Sequence, residues 1–381
     1  MSNDDQEKPR VECSCADCCG ASASKVSEEN ERNYIQENRG WIESRLETAA
    51  GPVPVVSTRL NWRDRLGSFV VRLGIKRMNY AVRPGLYAVG NPTLGSPVFV
   101  SANYKLSFDR LRKELGGVDA WVLVLDTKGI NVWCAAGKGT FGTEEILNRL
   151  EASGLRSVVS HRTLILPQLG APGVAAHEVT RQSGFKVVYG PVRASDIKLF
   201  LRNGMKASEE MRTVRFNLAD RLILTPLELV MTLKVVAAAV LILLVLDVLG
   251  LNAFSWKTLY PYLGAIIVGC VAVPALLPWI PGPAFAWKGW LLGIVWALFV
   301  NIEQGLIFSG SPGWAQLWPR AVSYFLLLPA LSAFLAMNFT GSSTYTSLSG
   351  VVREMKTAVP ATFISAVLGL GILIAALAGA F

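Results

Sequence analysis

Histidine is nearly missing from this chain: His161 and His177 are the two in 381 residues. Neither has carboxylate or cysteine partners at ligand spacing, so no zinc site is expected. Charge is scarce as well. Charged residues make up 17% of the chain, against about 25% in an average soluble protein. Hydrophobic residues make up 51% and mean hydropathy is +0.38. An ordinary soluble protein and a disordered chain are both excluded, and the composition asks for a membrane-embedded part. A disulfide framework is absent too. Four of the six cysteines, Cys13, Cys15, Cys18 and Cys19, form one cluster, while Cys134 and Cys270 stand alone. The polar start MSNDDQEKPR carries no apolar h-region, so no signal peptide is expected and the N-terminal part is expected in the cytosol with reduced thiols.

Acidic charge runs short in the middle of the chain. Residues 1–50 hold 6 Lys/Arg and 11 Asp/Glu, residues 51–228 hold 25 and 14, and residues 229–381 hold 6 and 3. A basic domain beside a bilayer suits anionic headgroups or an acidic protein partner. No basic run with interleaved aromatics is present, so nucleic acid is not an expected partner.

What is there falls into three parts. Residues 1–50 read as a mobile Cys-containing tail with a short helix over 33–46. The Gly51-Pro52-Val53-Pro54 run marks a boundary, because glycine and proline interrupt helix and strand. Residues 51–228 form a domain and connector. Its apolar runs predict strands over 86–89, 98–101, 121–125, 164–166 and 186–189, with helices over 108–115, 144–150 and 174–183. Alternating strands and helices imply an α/β, Rossmann-like domain with a mostly parallel sheet, whose ligands bind in loops after the strands. From residue 229 an all-α transmembrane domain of about five helices is expected, over 229–249, 259–280, 285–308, 321–339 and 358–380. Arg212, Arg215, Arg221, Lys288, Arg353 and Lys356 fall on one side and only Lys257 and Arg320 on the other. That bias puts the α/β domain in the cytosol, on a multi-pass protein of the cytoplasmic membrane.

The segment from Gly129 to Thr140 follows the strand over 121–125 directly. It is not a phosphate loop: the positions that need Gly and Ser/Thr hold Val132 and Gly139. Within it, Cys134 is followed by Ala135, Ala136 and Gly137, small residues that let a large flat object approach the backbone. From the residues alone, Cys134 is either such a contact or a buried structural thiol.

Asn131-Val132-Trp133-Cys134-Ala135-Ala136-Gly137-Lys138 resembles the cap-helix signature of the mercury-methylation corrinoid proteins, the HgcA family. Segments 77–80, 84–92, 102–109, 161–169 and 190–197, and the membrane part with 339–347, are similar to that family too. Some of these are shared with the large subunit of the corrinoid iron-sulfur protein of acetyl-CoA synthesis. The resemblance implies a base-off, cobalamin-type corrinoid with Cys134 as the axial ligand of cobalt. It also implies a pocket made by Asn131–Lys138, by Thr140, Gly142 and Thr143 at the next helix, and by the loops with Gln168, Leu169 and Gly173 and with Gly190, Pro191, Val192 and Arg193. For any one of these residues, turn geometry is the alternative.

The implied activity is a methyltransferase reaction from a Cys-ligated methyl-Co(III) corrinoid to Hg(II), giving methylmercury. Hg(II) is an electrophile and needs a methyl carbanion or radical equivalent. A thiolate is a soft, strongly donating axial ligand that favours such release. Loss of a carbanion leaves Co(III), whereas remethylation needs Co(I), so two electrons must enter each turn. The resemblance supplies the source, a ferredoxin-like protein with two [4Fe–4S] clusters (HgcB), and a methyl donor from the methyl-tetrahydrofolate pathway. The cluster Cys13, Cys15, Cys18, Cys19 is either a capture site for Hg(II) or an incidental thiol-rich tail. The rival readings are a corrinoid methyl carrier of one-carbon and acetyl-CoA metabolism, and a mercury-handling membrane transporter. Cys270 alone among the predicted spans counts against the transporter.

Overall fold

The computed structural model describes residues 40–248, 255–307, 314–342, 345 and 348–377. The chain divides into two compact units: one takes in residues up to Gly67 together with Lys76–Arg212, the other Ser68–Ile75 and everything from Thr213.

The first unit is built on a seven-stranded sheet of order β1-β2-β3-β5-β4-β6-β7. The strands are β1 (Ile42–Thr48), β2 (Gly51–Val56), β3 (Gly85–Val89), β4 (Val98–Ala102), β5 (Ala120–Leu125), β6 (Thr163–Leu166) and β7 (Lys186–Tyr189). β2–β3, β5–β4, β4–β6 and β6–β7 are parallel, while β1–β2 and β3–β5 are antiparallel. All residues of β4 and β5 are buried, the consequence of apolar runs covered on both faces. Alternation splits β5 between two cores. Trp121, Leu123 and Leu125 pack with Val132, Ala135, Phe141 and Ile146. Val122 and Val124 pack with Trp41, Phe108, Leu111 and Leu115 on the other face.

Two expectations are corrected at the front of this unit. Residues 42–48 are not helix or tail but β1, and Gly51-Pro52-Val53-Pro54, read as a boundary, belongs to its hairpin partner β2. Pro52 and Pro54 lie opposite Glu47 and Arg45 of the edge strand β1, and β2 pairs with β3 only at Val55 and Ala88, so few ladder bonds depend on the N–H groups that proline lacks. Residues 33–39 of the expected helix lie outside the described residues.

A buried ion cluster locks this unit. Lys105 Nζ lies 2.6 Å from Asp64 Oδ1 and 2.6 Å from Asp109 Oδ2; Arg112 Nη2 and Nε lie 2.7 Å from Asp64 Oδ2 and Asp109 Oδ1. All four side chains are 5% exposed or less. Arg112 also donates to the carbonyls of Ser57 and Arg59. Burial by itself would raise the Asp64 carboxyl, but the hydrogen bond and charge of Lys105, joined by Arg112, overcome it and hold the group below the ordinary carboxylate range. Asp64 and Asn61 also form a reciprocal cap at the start of the helix Trp62–Arg72, with backbone-to-side-chain bonds of 3.1 and 2.8 Å.

The second unit is helical. Five of its helices are long and apolar enough to cross a membrane, over Leu218–Leu241, Trp256–Leu276, Phe285–Glu303, Leu317–Asn338 and Ser349–Ala376. The helices Phe285–Glu303 and Trp314–Asn338 approach closely at Gly289 and Gly293. A Cβ at Gly289 would stand 2.5 Å from Ser332 O, and one at Gly293 2.6 Å from Pro329 Cα. This small-xxx-small spacing is how apolar helices pack when no water is present to drive them together. Cys270 is buried among helices, with its sulfur 3.7 Å from Thr232 Oγ1.

Asp64→Asn is expected to destabilise the protein by about 3–5 kcal/mol, because it leaves Lys105 and Arg112 undercompensated in the interior. A carboxyl held low when folded contributes stability that is complete above about pH 3.9, its unfolded value, and is lost as pH falls through its folded value. Denaturant unfolding of the full chain in detergent should therefore weaken on acidification below about pH 4, and less steeply in the variant.

Candidate functional site

After β5 the chain must turn from a buried strand into a helix within a few residues. The turn at Asp126–Gly129 does this with two residues at positive φ, Lys128 at 58° and Gly129 at 71°. A Cβ at Gly129 would stand 2.7 Å from Met78 O, so glycine is required there. The turn is held from beneath by Asn103, which follows β4 and is 1% exposed. Its Oδ1 accepts from the backbone N–H groups of Thr127 (3.1 Å) and Gly129 (3.0 Å) and lies 2.8 Å from Thr127 Oγ1. Its Nδ2 donates to Asp126 Oδ1 at 3.2 Å. Asp126 N–H in turn donates to Glu145 Oε1 at 2.8 Å, an oxygen also held by Arg149.

Asn131 starts the short helix Val132–Gly137. Its backbone is extended, and its Oδ1 accepts from Cys134 N–H at 2.9 Å, an ordinary N-cap. The helical period then sorts the side chains. Val132, Ala135 and Ala136 are buried in the core; Trp133, Cys134, Gly137 and Lys138 are exposed. The buried face rests on the turn Gln168–Gly173, where a Cβ at Gly173 would stand 2.3 Å from Phe141 O and 2.9 Å from Ala136 Cα. On the exposed face, a Cβ at Gly137, one turn beyond Cys134, would meet nothing within 4 Å. The helix thus presents a thiol beside a flat, 41% exposed indole and an open backbone.

The structure brings Asn131, Val132, Trp133, Leu169, Gly190, Pro191 and Val192 to one cleft of about 290 Å³, together with Ser107 and Arg110. It lies at the C-terminal ends of β4, β6 and β7, where an open α/β sheet binds its ligands. Other expected site residues sit elsewhere. Ala135 and Ala136 face the core. Thr140 Oγ1 lies 3.5 Å from Ala135 O, Gly142 precedes the helix Thr143–Ala152, and Thr143 Oγ1 accepts from Ala175 N–H at 2.9 Å. These residues hold the cap helix in place. Arg193 leads out of the cleft, before the turn Ala194–Asp196. Gln168 Oε1 is enclosed and has no hydrogen-bond partner among the described residues. Burial pushes the Tyr189 hydroxyl up, and it donates to Val174 O at 3.0 Å. His161 is structural: Nε2 lies 2.9 Å from Ser96 O and Nδ1 accepts from Thr163 N–H at 3.2 Å. Cys13, Cys15, Cys18 and Cys19 lie outside the described residues. Among the described residues, no group of three or more His, Cys, Asp or Glu is placed to hold a metal ion.

Asn103, Ser107 and Arg110 were not singled out as site residues by the sequence. The available signal was an asparagine directly after a buried apolar strand, the place where such sheets turn toward their ligands.

A family model described as CO dehydrogenase/acetyl-CoA synthase delta subunit matches residues 76–201, from before β3 to after β7 and across the cap helix. The gamma subunit of the acetyl-CoA decarbonylase/synthase complex of Archaeoglobus fulgidus is 32% identical over 130 residues, 34% of this chain and 27% of that protein. The same subunit of Methanocaldococcus jannaschii is 36% identical over 129 residues (33% and 26%). That of Methanopyrus kandleri is 32% identical over 132 residues (34% and 28%). Over about a third of its length, the chain is similar to these subunits. It spans about a quarter of the length of each.

Asn103→Ala leaves buried backbone donors of the 127–129 turn without an acceptor, each costing about 1–3 kcal/mol. Maleimide labelling, read by mass spectrometry on the Cys134 peptide, and hydrogen exchange over 126–137 should both rise. Unchanged rates would mean that Asn103 does not hold the cap helix.

Proposed function

We propose that the α/β unit binds a corrinoid against the exposed face of the Val132–Gly137 helix and that the protein acts in methyl transfer. The observation that carries this reading is the outward presentation of Cys134 by a helix whose other face is packed into the core. The residues present fit a flat macrocycle. Gly137 leaves the space beside the thiol open, Trp133 offers an apolar surface, and Gln168 Oε1 is an enclosed acceptor without a donor among the described residues. When bound, a corrinoid supplies a cobalt ion that takes up and gives up a methyl group. Cys134 would hold that cobalt through sulfur, and the cleft with Leu169, Gly190, Pro191 and Val192 would receive the group's periphery. The second unit would anchor the protein in the cytoplasmic membrane with the α/β unit in the cytosol.

The relatives named for acetyl-CoA decarbonylase/synthase support one finer reading, a corrinoid methyl carrier of one-carbon and acetyl-CoA metabolism. A second reading, methylation of Hg(II) to methylmercury, is favoured by the exposed Cys134, since a soft thiolate suits release of the methyl group to an electrophile. In that reading a ferredoxin-like [4Fe–4S] protein supplies electrons through the basic surface of residues 51–228, and Cys13, Cys15, Cys18 and Cys19 capture Hg(II).

The test is anaerobic reconstitution of the full chain with cobalamin, wild type against Cys134→Ala. Visible and cobalt EPR spectra would be read beside two acceptor assays, Hg(II) and acetyl-CoA synthase. Outer partners of a metal already cost 10–100-fold when removed, so loss of the ligand itself should lower methylmercury output by at least about 100-fold. The sulfur-ligated spectrum should be lost with it. Methyl delivery to the synthase with no methylmercury would establish the carrier. A chain that takes up no cobalamin would overturn both readings.

A further inference from the structure

At one end of the helical unit a cleft of about 830 Å³ opens between the helices Phe285–Glu303, Trp314–Asn338 and Leu348–Leu377. Its lining is small and apolar, with Ala286, Ala333, Ala358 and Ala361 among its walls. At its edge two partly exposed indoles, Trp287 and Trp290, stack with ring centroids 5.3 Å apart and planes at 14°. Paired Trp rings of this kind mark the level of lipid headgroups.

The polar groups of the cleft are unevenly committed. Glu354 Oε1 accepts from Ala286 N–H at 2.6 Å and so serves the start of the Phe285–Glu303 helix. Lys288, on the same turn of that helix, is buried and donates to Leu277 O at 2.6 Å. Arg353 lines the cleft, is exposed, and has no ion-pair partner among the described residues. With Lys356 one turn away, this end carries a surplus of positive charge.

The dimensions match one leaflet. From Arg353 to Ser365, both in the lining, the helix rises about 18 Å at ~1.5 Å per residue. Half of a ~30 Å hydrocarbon core is about 15 Å. A cation at the headgroup level and an alanine-walled trough running one leaflet deep fit a phosphate joined to an acyl chain. Free phosphate would leave the trough unfilled. Basic pockets between membrane helices are known to hold anionic headgroups.

We propose that this cleft binds one anionic phospholipid, with its phosphate on Arg353 and an acyl chain along the alanine-lined wall. The proposal rests on the reading of these helices as membrane spans and is independent of the corrinoid.

The test uses the full chain, delipidated in detergent and titrated with dioleoylphosphatidylglycerol or dioleoylphosphatidylcholine by native mass spectrometry. The wild type should retain one phosphatidylglycerol at least about fivefold more tightly than phosphatidylcholine, the fold-change that ~1 kcal/mol per basic side chain at an anionic surface gives. Arg353→Gln should remove that preference. Ala361→Phe, which keeps Arg353 and fills the trough, should remove retention of both lipids. Equal retention of the two lipids by the wild type, or unchanged retention in either variant, would overturn the site. Alkaline carbonate extraction of the same protein separates the two failures. A chain that stays in the membrane but shows no preference defeats the lipid site alone; a chain that is released defeats the membrane reading and the site together.

Discussion

Two carboxylates and two cations buried together, Asp64, Asp109, Lys105 and Arg112, are the constraint on which the α/β unit depends. A charge this deep is costly unless it is paired and hydrogen-bonded, and here each one is. The cluster joins three separate pieces of chain: the segment after β2 through the carbonyls of Ser57 and Arg59, the first turn of the Trp62–Arg72 helix, and the helix Lys105–Glu114. Lys105 is two residues from Asn103. Fixing one therefore fixes the other, and Asn103 fixes the turn from which the cap helix leaves. The position of Cys134 follows from charges that lie well away from it in sequence.

The cap helix divides its work between two faces. Six residues are too few for a helix to be stable by itself, so its geometry comes from its neighbours. Ala135 and Ala136 accept the close approach of Gly173, Asn131 satisfies the amide of Cys134, and Phe141 closes the far end inside the core. The exposed face is left with a thiol, an indole and a glycine. A packed inner face and an open outer one hold the thiol in a set direction, the preorganisation that its proposed role as a metal ligand would require.

The helical unit uses other means. The helix Phe285–Glu303 is apolar nearly all round, so hydrophobicity alone does not choose its contact face; small residues do. Gly289, Gly293 and Gly269 let backbones meet around Ser332 and Pro329, while alanines and Arg353 leave a trough on the outer side. Close packing on one side and an open groove on the other come from the same preference for small side chains.

The apolar run of β5, the alternation of strands and helices and the five long apolar stretches were legible in the sequence because each depends on local periodicity and length alone. The octapeptide around Cys134 was legible as a motif. The hairpin β1–β2 was not, since the prolines that argue for a boundary sit in a strand that meets β3 at a single position, and which strands neighbour β2 is a tertiary fact. Nor could the sequence divide residues 131–138 into those that face out, such as Cys134, and those that pack, such as Ala135 and Ala136, because the helix phase is set by Asn103 and Gly173, 31 residues before Cys134 and 39 after it. The sequence by itself determined the candidate motif around Cys134 and which segments suit a bilayer. Only the tertiary structure decided which way the thiol faces, because that direction depends on contacts between residues far apart along the chain.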